Sequence, residues 1–284
     1  MRLRFTKMHG LGNDFMVIDG VTQEVALTGD MVRAWGDRHF GVGFDQLLLV
    51  QPPRDPGVAF EYRIFNADGE EVEQCGNGAR CFAAFVARQG LTADRTIPVQ
   101  TAAGQLILHL LDDGRVRVNM GVPKLDPADV PFRADRFAVR HDIDVNGESV
   151  QISAISMGNP HAVLLLDQPP TDQLVASLGP SLESHPDFPK RANVGFLQAE
   201  DRHHGRLRVY ERGVGETMAC GSGACAALVA ARLQGVMEAD VTLALNGGEI
   251  GVSWAGEGEP VYMTGPAGFV YDGEINWEDD DGQI

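Results

Sequence analysis

The chain repeats itself once, and that internal duplication restricts its fold more than any other feature. Met8-His9-Gly10-Leu11-Gly12-Asn13-Asp14 leads into the apolar run 15–18 and then Asp19, while Met157-Gly158-Asn159-Pro160-His161 leads into the run 162–166 and then Asp167. Each reads as a glycine turn feeding a strand. Gly43-Phe44 and Gly195-Phe196 follow as the next matched landmarks, and a strand-rich stretch then ends at Asn66 in the first half and at Glu211-Arg212 in the second. Asn66 and Glu211 each stand nine residues before a cysteine. Those cysteines open the strongest match, Cys75-Gly76-Asn77-Gly78-Ala79-Arg80-Cys81 against Cys220-Gly221-Ser222-Gly223-Ala224-Cys225. A helix is expected after each, running to stops at Gly90 and Gly235.

Both helices are apolar nearly all round, and a helix without a polar face must be enclosed. Alternating stretches such as Leu106-x-Leu108-x-Leu110 and Val116-x-Val118-x-Met120 supply strands to enclose it. The fold class expected is therefore α+β, with two pseudo-symmetric domains, each a largely antiparallel sheet wrapped around a central apolar helix. A length of 284 residues agrees with two domains at about 100 to 200 residues each. Gly121, Pro123, Pro127 and Pro131 interrupt the pattern at the junction. The expected division is 1–119 and 120–264, with segment 265–284 returning to the first domain.

No run approaches the roughly 18 to 20 apolar residues of a membrane span, and Met1-Arg2-Leu3-Arg4-Phe5 lacks the apolar core of a signal peptide. A cytoplasmic location is expected. A net charge of −17 repels nucleic acid phosphates and anionic lipid, so neither is expected as a partner. The acidic run Glu278-Asp279-Asp280-Asp281 reads as a solvated tail.

The four cysteines form two short clusters, and a reducing compartment keeps them as thiols. Cys75 and Cys220, immediately before the helices, stand beside unpaired backbone N–H groups and the positive end of a macrodipole, where thiolate is favoured and a carboxylate can be held. Cys81 and Cys225 fall inside the apolar helices and read as small hydrophobes. A zinc site, a redox dithiol and ordinary buried cysteine compete with a catalytic reading of Cys75 and Cys220. The spacings C-x5-C and C-x4-C suit zinc poorly, and one thiol per half is not the C-x-x-C of a redox pair. No metal is expected. Inversion of a stereocentre, in contrast, needs a base on one face of a carbon and an acid on the other, and a duplicated chain supplies one per half. Two such thiols share one proton and titrate as a unit. Pyridoxal chemistry would need a Schiff-base lysine. Lys7, Lys124 and Lys190 all lie outside the repeated glycine motifs, so no cofactor is expected.

These residues closely resemble the diaminopimelate epimerase family over nearly the whole chain. The resemblance rests on Lys7 to Phe15, Phe65-Asn66-Ala67-Asp68-Gly69, Gln74 to Cys81, Met157 to His161, and Tyr210-Glu211-Arg212 running to Cys225. It implies a cofactor-independent isomerase that interconverts LL- and meso-2,6-diaminopimelate, in lysine and peptidoglycan precursor biosynthesis, within a cleft between the two domains. By that resemblance Cys75 and Cys220 are base and acid, and Gly76-Asn77 and Gly221-Ser222 hold the proximal carboxylate. Asn13, Gln46, Asn66, Asn159, Asn193, Glu211 and Arg212 are implied to bind substrate, several of them at its distal end. His161 and Glu211 are implied to tune the cysteines, although His161 taken alone reads more readily as a satisfied structural histidine, and His9, in the matching motif of the first half, is left as structural. The resemblance also implies a homodimer, with Tyr271 at its interface. A proline or hydroxyproline racemase of the same fold is the nearest rival, but a small cyclic substrate has no second amino acid end for Asn66, Asn193 and Arg212 to grip. A non-enzymatic thiol or metal-binding module is the third reading, favoured if zinc co-purifies.

Overall fold

The computed structural model describes residues 2–72 and 76–277. Gln74, Cys75 and the acidic tail from Glu278 onward lie outside the described residues. The chain divides into two compact units, Met1–Val118 with Pro266–Ile284, and Asn119–Gly265.

The first unit runs β1 (Arg2–Gly10), β2 (Asn13–Asp19), α1 (Gly29–Gly36), β3 (Gln46–Gln51), β4 (Phe60–Asn66), β5 (Glu71–Val72), α2 (Gly76–Arg88), β6 (Thr96–Thr101), β7 (Gly104–Leu110) and β8 (Val116–Asn119). The second runs β9 (His141–Val145), β10 (Glu148–Ser156), β11 (Pro160–Leu166), α3 (Asp172–Glu183), β12 (Asn193–Ala199), β13 (His204–Glu211), β14 (Gly215–Glu216), α4 (Gly221–Leu233), β15 (Asp240–Leu245), β16 (Gly248–Trp254) and β17 (Val261–Gly265). A last strand, β18 (Gly268–Asn276), pairs antiparallel with β1 in the first unit.

The pairing is mostly antiparallel and repeats from unit to unit. β1–β2 and β10–β11 are antiparallel hairpins. β2–β3 and β11–β12 are parallel and are joined through α1 and α3. β4–β6 and β13–β15 are the second parallel pairs, and their connections carry α2 and α4. A parallel pair needs such a crossover, and a helix is the usual one. β18 beside β1 has its counterpart in β9 beside β10.

α2 packs against β1, β2, β3 and β7, and α4 against β10, β11, β12, β13, β16 and β17. Each sheet therefore curls round its helix, as the all-apolar helices require. Every residue of α4 from Gly223 to Ala231 is buried. α2 differs by burying a charge, since Arg80 is wholly enclosed and its Nε donates to the carbonyl of Pro266 at 3.1 Å. Cys81 and Cys225 are buried free cysteines within these helices.

The strand register corrects two of the matches drawn from sequence, and the helix starts correct a third. Gln46 pairs with Asn66, and the register Val194↔Tyr210 sets Asn193 opposite Glu211, so Gln46 is equivalent to Asn193 and Asn66 to Glu211. Gly195-Phe196 consequently lies inside β12, whereas Gly43-Phe44 lies in the loop before β3 and is not its counterpart. Phe15 faces Gln46 as His161 faces Asn193, so the counterpart of His161 is Phe15, not His9. Counting from the helix starts Gly76 and Gly221, the position of Cys225 is held in α2 by Arg80, not by Cys81.

Candidate active site

In the first unit four amide residues collect at strand ends and at the start of α2. Asn13 opens β2, Gln46 opens β3, Asn66 closes β4, and Gly76-Asn77 form the first turn of α2. Asn77 Nδ2 donates to Asn13 Oδ1 at 3.3 Å, and Gln46 Nε2 donates to Asn66 Oδ1 at 2.9 Å. Gln46 Oε1 is buried with no partner, an acceptor kept out of water beside Asn66.

Charged residues behind the amides fix them. Asp45 Oδ2 accepts from Asn13 Nδ2 at 2.8 Å and from the backbone N–H of Asp14 at 3.0 Å. Arg38 bridges Asp45 and Asp14, and Lys7 Nζ donates to Asp14 at 2.6 Å and to the carbonyl of Gly43. Burial pushes the Asp14 carboxyl up, but hydrogen bonds and charge from Arg38 and Lys7 prevail and bring it down to about 2. Lys7 is therefore held in an ion pair with a strongly ionised partner.

In the second unit the side chains form one directional chain. Cys220 is the N-cap of α4, and its carbonyl accepts from the N–H of Ala224 at 3.0 Å. Its buried thiol donates to Glu211 Oε2 at 3.1 Å and lies 3.6 Å from Ser222 Oγ. Ser222 Oγ accepts from Asn159 Nδ2 at 3.4 Å, and Asn159 Oδ1 lies 3.0 Å from His161 Nε2. Thr217 Oγ1 donates to the other Glu211 oxygen at 2.5 Å. Glu211, at the end of β13, thus receives donors from two sides. Nothing in the sequence marked Thr217 as its partner, because a threonine preceding a glycine-rich turn has no distinguishing pattern.

Burial pushes the Cys220 thiol well up, Glu211 adds to the shift by charge and by hydrogen bonding, and the contacts from Ser222 and the Gly223 N–H offset only part of it. Cys220 therefore rests as a thiol, so the pull of the helix end toward thiolate does not prevail at this sulfur. The macrodipole acts there as about half a charge, while Glu211 is a full charge in contact with the sulfur. His161 is fully buried, with Nδ1 lacking a partner, and burial followed by the charge of Arg212 lowers it to about 3. The ring is neutral. It fixes the amide of Asn159 by donating from Nε2, and no charge on it acts on Cys220.

Asn193 and Arg212 complete the set in this unit. Asn193 Nδ2 donates to the carbonyl of Pro160 at 3.2 Å, and its Oδ1 accepts the backbone N–H of Arg212 at 2.9 Å. The Arg212 guanidinium reaches the carbonyl of Lys190 at 3.1 Å. Tyr271 stands apart from both clusters, half-exposed on β18, with its ring edge-on to Phe5 at 6.0 Å between centroids.

Two duplicated units, each a sheet curled round a helix whose first turn carries the polar cluster, make up a fold found in amino acid epimerases. A hydroxyproline epimerase from Agrobacterium vitis, solved with bound trans-4-OH-L-proline, superposes with a TM-score of 0.67 over 96% of this chain and 92% of its own, at 17% identity. The family is defined by sequence: residues 5–125 and 153–270 match the profile of the diaminopimelate epimerase family, to which the chain belongs. Diaminopimelate epimerases of Ectopseudomonas mendocina (strain ymp) and Pseudomonas aeruginosa (strain UCBPP-PA14) are 59% and 58% identical to it, each over 97% of this chain and 99% of their own length. The chain is thus an isomerase of the amino acid epimerase class. No helix among the described residues is long and apolar enough to cross a membrane.

Proposed function

We propose that the chain interconverts LL- and meso-2,6-diaminopimelate by moving a proton at Cα between Cys75 and Cys220, with no cofactor or metal. The observation that carries this is the Cys220 thiol, buried at the start of α4 and tied to Glu211 at 3.1 Å. An acid poised in this way has its proton ready, and the partner base is the cysteine at the equivalent place before α2.

In the direction that begins with Cys75 as thiolate, its sulfur takes the α-proton and the electron pair remains on the substrate Cα. The Cys220 S–H then gives its proton to the opposite face, leaving Cys75 as thiol and Cys220 as thiolate. The reverse reaction exchanges the two roles. Ser222 Oγ–H, fed by Asn159, is placed to donate to the sulfur once Cys220 has lost its proton. Gly76-Asn77 and Gly221-Ser222 hold the reacting carboxylate at the two helix starts, where backbone donors stabilise developing negative charge by roughly 2.7 to 4 kcal/mol each. Arg212 forks onto the distal carboxylate, with Asn13, Gln46, Asn66 and Asn193 supplying amide donors and acceptors to the rest of the distal end.

Proton NMR of LL-diaminopimelate in D2O, with neither pyridoxal phosphate nor metal added, tests the scheme. Loss of the α-proton signal with appearance of the meso isomer is expected from the wild type. Cys75→Ala and Cys220→Ala should each abolish inversion in a folded protein. Substantial turnover by either variant would refute the two-base scheme, and faster turnover of proline than of diaminopimelate would refute the substrate.

A further inference from the structure

Glu183, the last residue of α3, is a buried carboxylate with no place in the proton-transfer scheme, and its partners lie on the two turns that carry Asn193 and Arg212. Its Oε1 accepts the backbone N–H of Gly213 at 2.9 Å. Its Oε2 accepts both Nε, at 3.1 Å, and Nη2 of Arg191. Its own carbonyl accepts the N–H of Ala192 at 2.9 Å. One residue therefore ties segment 191–192 to turn 211–213. The tie is tightened by Arg212, whose N–H reaches Asn193 and whose guanidinium reaches the carbonyl of Lys190.

A carboxylate out of water is costly unless paired, so such a residue needs all these contacts in place at once. Arg191 itself sits at φ 59, in the left-handed region that non-glycine residues seldom adopt, and the Glu183 fork holds it there.

The duplication supplies an internal comparison. The counterpart of Arg212 in the first unit is Ala67, which follows Asn66 as Arg212 follows Glu211. There the end of α1 approaches the turn through Gly36, where an added Cβ would stand 3.0 Å from that of Ala67, and Arg33 Nη1 donates to the carbonyl of Asp68 at 3.1 Å. Among the described residues of the first unit, no carboxylate is seen in this part, and there the turn carries no arginine. The buried acid accompanies the arginine.

We infer that Glu183 is a positioning residue that fixes Arg212 and Asn193 for the substrate's distal carboxylate, an inference that rests on the diaminopimelate reading above. The test is steady-state kinetics of Glu183→Gln and Arg191→Lys on LL-diaminopimelate, with inhibition by L-2-aminopimelate, which keeps the distal carboxylate, and by L-lysine, which lacks it. For Glu183→Gln the expected result is a KM raised about tenfold with kcat within about twofold of wild type. Inhibition by 2-aminopimelate should weaken by the same factor, and inhibition by lysine should be unchanged. A fall in kcat at constant KM, or equal weakening of both inhibitors, would overturn the inference and make Glu183 a purely structural residue. If circular dichroism shows Glu183→Gln unfolded, Arg191→Lys, altered at a side chain more than half exposed, is judged by the same two criteria. Absence of wild-type turnover on diaminopimelate would refute the proposed substrate instead.

Discussion

At the start of α4 two influences on the Cys220 sulfur oppose each other. The helix end and the Gly223 N–H favour the thiolate, while burial and Glu211 favour the thiol and prevail. Removing the charge of Glu211 should therefore lower the thiol pKa. In a Cys75→Ala background, Glu211→Gln should make Cys220 react several-fold faster with iodoacetamide at neutral pH, and an unchanged or slower rate would contradict the assignment. His161 gives a prediction of opposite kind, on stability. Its folded value of about 3 lies below the ordinary 6.5, so between these pH values the unfolded chain binds a proton that the folded chain refuses. Stability is fully present above about pH 6.5 and declines as pH falls toward 3. The loss due to His161 by pH 5 is about 2 kcal/mol. Urea unfolding of wild type and His161→Gln at pH 7 and pH 5 checks this, and the variant should lose less between the two. The two cysteines stood out in the sequence because each precedes a helix within a glycine-flanked motif, whereas the amide positions were implied by the family resemblance. The protonation state of Cys220 was not legible there, because it depends on how deeply the sulfur is buried and on a carboxylate nine residues away that a strand turns toward it.

The helices and strands carry the site through a few close approaches. α3 lies on β13 through Gly179, where an added Cβ would stand 2.7 Å from the ring of Tyr210, the residue before Glu211. Gly179→Ala should cost about 1–3 kcal/mol by overpacking and should also lower epimerase activity, because Tyr210 cannot give way without moving Glu211. Thermal unfolding and turnover check both, and a variant unchanged in both would show the contact to be relaxed. The duplication, the two enclosed helices and the Asn66–Glu211 equivalence were readable from the apolar runs and the cysteine spacing. The Gly43 and His9 matches failed for a physical reason. Between the equivalent pairs His9↔Asp14 and Ser156↔Pro160 the chain has four residues in the first unit and three in the second, and between Phe15↔Gln46 and His161↔Asn193 it has thirty and thirty-one, so letter-by-letter matching slips until hydrogen-bond register restores it.

For the molecule as a whole, β18 is the outer strand of the first unit's sheet and presents Phe269, Val270 and Tyr271 partly to solvent. We propose this edge as the contact of a homodimer, so Tyr271→Ala should shift the sedimentation coefficient from dimer toward monomer, and a wild type that sediments as a monomer at micromolar concentration would end the idea. The pairing of β18 with β1 also bears on how the protein is made. The second unit is one contiguous stretch of chain whose strand beside β10, β9, precedes it directly. The first unit must wait, with β1 lacking its outer neighbour, until β18 has followed the whole of the second unit off the ribosome. Synthesis thus finishes the later unit before the earlier one, and a nascent chain halted before residue 268 carries an unpaired β1 edge, open to chaperones and to other nascent chains alike.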